Sequence, residues 1–395
     1  MVTTFGDVAK AIDRANALIE IRDYPGALRV LRGVSYAKLP AEQRTLLKLL
    51  SGMELLRAGR FADSIQEFLE AAVGFNMFSD VREAAALDSM AYAQSQMGDL
   101  EASERNYLKA IDLYRGVHDG DRELRAAHNL AYFYIESGSL IRGLSLYQRY
   151  PVSSVSEGSP EYCNYHLNIA RAYWMQCRLG DAQQALRLCC PKNTPDQRQR
   201  ALYYRISGKI QLKKGAAQAA VDLFRRACAC ASSGHQGRDL LPSCRRWLAD
   251  AYLSLGGSDE LLVCATENAR AALSLAKVNL DRWEIAASKR TLAVAASRSD
   301  REDESRRLVG EAISMFRLRG SRYELAMTQL AAAYTGLYSR EDTDRLLEAA
   351  AGYCRAEGVP LTISYTPHTI RLLRSIRSSP VRAKLVAASI AKVPG

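Results

Sequence analysis

The chain has 395 residues, of which 48% are hydrophobic and 25% charged, and a formal net charge of +11. That is a folded, soluble composition, and the length favours several domains or one elongated repeat array over a single globular core. No apolar run approaches the roughly 20 residues of a bilayer helix. The opening MVTTFGDVAK lacks the basic start and apolar core of a secretory signal, so a cytoplasmic location is expected.

Ala, Leu and Arg abound while Pro numbers only 11, a balance that favours helix over sheet. In chain order, one pattern recurs. A first helix centres on Ala15, with Leu18 three residues later and Ala27 opening a second helix. The stretch GMELLRAGRFADSIQEFLEAA repeats this from Gly52, with Leu55, Ser64 and Phe68. AYAQSQMGDLEASERNYLKAI follows from Ala91, with Ser103 and Tyr107. AYFYIESGSLIRGLSLYQRY starts at Ala131, with Tyr134, Gly143 and Tyr147, and ARAYWMQCRLGDAQQALRLC at Ala170, with Tyr173 and Ala182. GKIQLKKGAAQAAVDLFRRAC starts at Gly208, with Ala220 and Phe224. Later pairs centre on Ala249, Ala293 and Ala331. Successive small residues are 37, 39, 40, 39, 38, 41, 44 and 38 positions apart.

Two antiparallel helices approach closely only where side chains are small, and large neighbours then fill the gaps beside the contact. One such pair cannot bury its apolar face alone, so pairs must stack. Gly59, Gly98, Gly138, Gly215 and Gly256 punctuate the expected turns, as do the Gly-Asp steps at Gly98-Asp99 and Gly180-Asp181.

On these residues the chain resembles the tetratricopeptide repeat family. The resemblance implies an all-α fold: an α-solenoid of about nine antiparallel helix pairs in a right-handed superhelix over residues 1–360, followed by a short basic helical tail over 361–395. The period is near 39 rather than the family's 34, which lengthens each helix by about half a turn to a turn. Armadillo and HEAT arrays run at about 40–47 residues, but the small-residue register and the Gly-Asp turns favour the tetratricopeptide reading.

The nine cysteines, eight of them between Cys163 and Cys264, form no Cys-x-x-Cys pair and read as buried packing residues. No metal site and no cofactor is expected. There is no phosphate loop, dinucleotide fingerprint, His-Glu-x-x-His helix or triad spacing among the five histidines, so the chain does not read as an enzyme. The acidic run at Asp119, Asp121 and Glu123 is too short for a calcium loop and reads as a helix cap.

Charge is uneven. Residues 186–246 hold 13 Lys and Arg against 3 Asp, and residues 361–395 hold 6 against none. A solvated helix face is favoured over a nucleic-acid site, though the latter stays open. In arrays of this family the first helices line the concave face. By register, His128, Asn129, Tyr132, Asn168, Arg171, Trp174, Arg205, Lys209, Arg246 and Trp247 point there, flanked by Asp88, Tyr92 and Arg290. Asn can bond a peptide backbone in both senses, Arg can grip a carboxylate, and aromatics give rigid contact area. The expected partner is therefore a protein or peptide, acidic in character. The family's chaperone-tail clamp is not reproduced: Asn168 fits one slot, but His128 and Tyr132, and Leu202 and Ile206, occupy the flanking ones.

The stretch SSPVRAKLVAASIAKVPG, from Ser378, resembles the lead-in to the ATPase domain of bacterial enhancer-dependent sigma-factor activators. MFRLRGSRYELAMTQLAAAY, from Met315, resembles helix pairs in bacterial sensor arrays. Together they imply the sensory region of a transcription regulator, in intramolecular contact with an ATPase domain. The alternatives are a free-standing adaptor for complex assembly and a peptide-pheromone receptor. The absence of a DNA-binding or bundle domain before Ala15 counts against the last.

Overall fold

A computed structural model describes residues 5–359 apart from 21–22, 153–154, 156, 158, 190–195, 234 and 257. The tail expected at 361–395 lies outside the described residues. Among these residues there are eighteen α-helices and no strand. The chain divides into two compact units, Met1–Phe133 and Tyr134–Gly395.

The first unit holds α1 (Phe5–Glu20), α2 (Tyr24–Arg32), α3 (Ala41–Arg57), α4 (Phe61–Phe75), α5 (Asp80–Met97) and α6 (Leu100–Gly116). Helix α7 (Gly120–Ser137) runs through the boundary. The second unit continues with α8 (Leu140–Arg149), α9 (Pro160–Met175), α10 (Leu179–Arg187), α11 (Gln197–Lys213) and α12 (Ala217–Ser232). It ends with α13 (Leu241–Leu255), α14 (Asp259–Val278), α15 (Arg282–Ser297), α16 (Glu302–Leu318), α17 (Arg322–Tyr334) and α18 (Arg340–Ala356).

Helices pack on their neighbours in sequence, most extensively within the pairs α5/α6, α11/α12, α13/α14 and α15/α16. First helices also touch the next first helix, as α9 does α11 and α13 does α15. This is an all-α solenoid, and the small-residue register is its spine. Ala15, Gly52, Ala91, Ala131, Ala170, Gly208, Ala249, Ala293 and Ala331 are all buried. At Gly52 and at Gly208 an added Cβ would lie 2.7 Å from the rings of Phe68 and Phe224 respectively, so the aromatic slot of the second helix presses directly on the small slot of the first. Each of those rings is fully buried, worth roughly 1.5–3 kcal/mol. Ser103 and Ser305, opening their second helices, donate hydroxyl bonds to the carbonyls of Ala91 and Ala293, both at 2.8 Å. The small residue thus also ties the two helices together.

The turns correct one expectation. Gly98 and Gly138 take the left-handed conformation at φ 87° and 91°, as a helix end requires. Gly180, however, lies inside α10, and the left-handed residue of that turn is Cys177 at φ 58°. The Gly-Asp spelling there does not mark the turn. The expected lengthening is also uneven: α8 and α10 have only 10 and 9 residues. Helix α8 stops just before Tyr150-Pro151, because the residue preceding a proline is held out of the helical region. Asp119 accepts a bond from the Arg122 amide at 3.1 Å, so the acidic run does cap α7.

The second unit closes on itself. The Tyr353 hydroxyl donates to the Gly138 carbonyl at 2.8 Å, and Glu357 accepts from the Ile141 amide at 3.2 Å. The Gln176 side chain donates to the Glu357 carbonyl at 3.2 Å. The last helix pair therefore docks on the turn and the helix that open the unit.

Candidate functional site: the inner faces of the first helices

In the first unit, α5 and α7 present a polar and aromatic strip. The Asn129 amide donates to both carboxylate oxygens of Asp88, at 3.2 and 3.1 Å. Burial pushes the Asp88 carboxyl up to about 6, against the opposing pull of that bond and of Arg125. Tyr92 and Tyr132 follow their small residues by one position and remain 43% and 37% exposed. Behind them the Tyr107 hydroxyl is driven well above its usual range, first by burial and then by Asp88 and the two tyrosines. His128 is half-buried beside this strip on α7.

In the second unit the register residues come together around two indoles. Trp174 on α9 and Trp247 on α13 meet edge to face, with centroids 5.4 Å apart and planes at 85°. The Trp174 ring N–H donates to the Lys209 carbonyl at 3.0 Å, and Phe224 stacks on Trp247 at 6.1 Å. The Lys209 ammonium sits over both indoles, 4.8 Å from Trp174 and 4.5 Å from Trp247. Lys213 lies over Trp174 at 4.5 Å and donates to the Trp174 carbonyl and the Cys177 sulfur. Burial lowers the Lys209 pKa well below the usual lysine range. Arg205, Arg171 and Arg246 add to the effect and Glu324 opposes it.

The arginines here are paired. Arg171 bonds Glu136, and Arg205 bonds the Ser243 hydroxyl. Arg246 is fully buried, with Glu284 at 2.5 Å and Asp250 at 3.3 Å. Burial works against its charge, but the two carboxylates outweigh it and hold its pKa above the usual value. Thr291 donates to the other Asp250 oxygen at 2.8 Å, and Ser288 to the same Glu284 oxygen that the Arg246 Nε holds, at 3.3 Å. Arg290 pairs with Glu324 at 2.6 Å.

Of the ten expected groove residues, His128, Asn129 and Tyr132 belong to the first unit and the other seven to the second. Arg171, Trp174, Arg205, Lys209, Arg246 and Trp247 are brought together. Asn168 is half-buried one turn before them on α9. The two tryptophans and Arg246 are buried rather than displayed, because the inner face of this unit packs on itself. Register had not pointed to Glu136, Asp250, Glu284 or Glu324. Asp250 had a signal: it sits four residues after Arg246, on the same helix face.

Among the described residues, no cluster of His, Cys, Asp or Glu could hold a metal ion. Burial drives the thiols of Cys189, Cys228 and Cys354 up to about 12 and that of Cys244 to about 11, which keeps them protonated and inert. No helix of the described residues is long and apolar enough to cross a membrane.

No family model matches the chain, and no curated protein is significantly similar to it. Solved structures share its fold. The apo form of the quorum sensor NprR from B. thuringiensis superposes with a TM-score of 0.62 at 16% identity, covering 80% of this chain and 89% of that one. A Rap protein complexed with competence and sporulation factor gives 0.51 at 12% identity, covering 87% of this chain and 99% of that one.

Proposed function

We propose that this chain is a regulatory scaffold that binds an acidic peptide or protein segment through the inner faces of its first helices. The observation that carries the reading is the inner face of the second unit. There, among the described residues, Arg171, Arg205, Lys209, Lys213, Arg246 and Arg290 gather beside Glu136, Asp250, Glu284 and Glu324. A water-poor face with surplus positive charge favours an anionic ligand. In the first unit, exposed Tyr92 and Tyr132 beside the Asp88–Asn129 pair supply the accessible aromatic contact that peptide recognition uses. The test is selection from a random peptide display library on the immobilised chain. Enrichment of Asp- and Glu-rich sequences is expected, with at least tenfold weaker binding by an Arg171→Gln, Arg205→Gln double variant. An absence of enriched peptides overturns the reading.

The finer role, sensory region of a bacterial enhancer-dependent transcription regulator, rests on the sequences from Met315 and from Ser378. It predicts a Gly-x4-Gly-Lys loop within about 25 codons of Gly395 in the gene. A stop codon there removes it. A second reading, receptor for a signalling peptide, draws support from the fold shared with a quorum sensor and with a Rap protein solved with a bound factor. Enrichment of one short peptide sequence, rather than of acidic character in general, would favour it.

A further inference from the structure

Lys209 differs from every other cation of the second unit's inner face. Arg171, Arg246 and Arg290 have carboxylates, Arg205 has the Ser243 hydroxyl, and Lys213 has a carbonyl and a sulfur. Lys209 is 5% exposed as a residue, and its ammonium has two indole faces but neither an ion pair nor a hydrogen-bond acceptor among the described residues. Cation–π contact offsets only part of the loss of water. Trp247, against which it lies, carries a buried donor of its own: its ring N–H finds no acceptor. Trp174, in the same cluster, does find one. An ammonium and a ring N–H on touching side chains thus both lack an acceptor, and the Arg205 and Arg290 Nε atoms on the same face add two more buried donors without one.

The surrounding charge says which acceptor. From α11 itself Arg205 faces Lys209, from α9 Arg171 and from α13 Arg246, while α17 contributes Glu324. Glu136, Asp250 and Glu284 are committed to Arg171 and Arg246, and Glu324 to Arg290. A neutral carbonyl would satisfy a donor but leave the positive potential standing. A carboxylate answers both.

We infer that Lys209 and the Trp247 ring N–H form a carboxylate-binding centre, which takes an acidic side chain or the terminal carboxylate of a peptide. This rests on the peptide-binding reading above. The lowered affinity of the Lys209 amine for its proton has a consequence. An arriving carboxylate favours the ammonium over the amine, so binding takes up a proton at any pH where the free side chain is in part deprotonated.

The test uses the full chain and three probes: penta-glutamate with a free C-terminus, its C-terminal amide, and penta-glutamine with a free C-terminus. Titration calorimetry at steps from pH 6 to pH 10, each in two buffers of different ionisation enthalpy, reads affinity and proton uptake together. Penta-glutamate is expected to bind with proton uptake, and Lys209→Met to weaken it at least tenfold and abolish the uptake. Met keeps the length of the side chain and removes the buried charge, so this variant should melt higher than the wild type. The proton uptake of the wild type needs no variant at all. Equal binding of the amide assigns an acidic side chain to the centre, and equal binding of penta-glutamine assigns the terminal carboxylate. Undiminished binding of penta-glutamate to Lys209→Met, without proton uptake by the wild type, overturns the centre and leaves the scaffold reading standing. Failure of all three probes while library-selected peptides bind overturns the carboxylate. If the library yields nothing either, the scaffold reading itself has failed.

Discussion

The position just after the small residue has opposite surroundings at Ala91 and Ala131 in the first unit and at Gly208 and Ala249 in the second. In the first unit it holds Tyr92 and Tyr132, at 43% and 37% exposure. In the second it holds Lys209 and Asp250, at 5% and 1%. Register sets the direction in which a side chain leaves its helix. It does not set what that side chain meets. Where the inner face stays open, the aromatic rings remain in part exposed. Where it packs on itself, charges must find one another, and they do so in a chain of buried ion pairs.

The sharpest way to break this contrast is to remove a charge from the closed face. Arg246→Met leaves Glu284 and Asp250 buried without their cation, and a loss of about 3–5 kcal/mol is expected in urea unfolding. Adding Glu284→Leu should recover part of that loss, since replacing both partners avoids an uncompensated charge. A loss below 1 kcal/mol for Arg246→Met would mean that water already reaches the pair. Gly138→Ala should come next. Its φ is 91°, and an added Cβ would lie 2.6 Å from the Tyr323 backbone nitrogen, so a loss of at least roughly 1–2 kcal/mol is expected. The same denaturation assay checks it.

On the open face the effects are smaller and depend on pH. Asp88 has its pKa raised from 3.8 to about 6, so the folded state holds that proton more tightly than the unfolded chain. The resulting stability is full below 3.8 and lost as pH rises through about 6. Asp88→Asn keeps an acceptor for Asn129 but cannot ionise. Its melting temperature should exceed the wild type's above pH 6 and match it below pH 4, and a gain that is constant with pH would contradict the assignment. Least of all, Tyr92→Ala and Tyr132→Ala should each change stability by no more than about 0.5 kcal/mol, as exposed positions do. Both should weaken binding of library-selected peptides, which separates their role from that of the buried strip.

The repeat itself was legible because its cause is local. A small residue opposite an aromatic ring, as at Gly52 with Phe68 and Gly208 with Phe224, follows from the contact of two helices adjacent in sequence. The cap at Asp119 was legible for the same reason. Gly180 misled, because a Gly-Asp step suits a turn by composition while the chain turned at Cys177 instead. Pairing on the inner face could not be read at all. Arg246 meets Glu284 across 38 residues and Arg290 meets Glu324 across 34, and only the angle between successive pairs decides which carboxylate arrives beside which arginine. The cysteines were legible in part: of those described, Cys163, Cys189, Cys244 and Cys354 are buried as small apolar residues, while Cys177, Cys228, Cys230 and Cys264 are half-buried.

The closure of the second unit changes how that unit must fold. An open solenoid touches only its neighbours, so it can nucleate anywhere and lose its end repeats one at a time. Here Tyr353 reaches Gly138 across 215 residues, Glu357 reaches Ile141 across 216, and Gln176 reaches Glu357 across 181. Bonds of that separation form only after a very long loop has been ordered, which slows the final step of folding. Once made, they join the first and last pairs of the unit in a single cooperative event. Fraying from the α18 end would release the α7–α8 turn at the same moment, so hydrogen exchange at both places should report one shared opening rather than a gradient along the array.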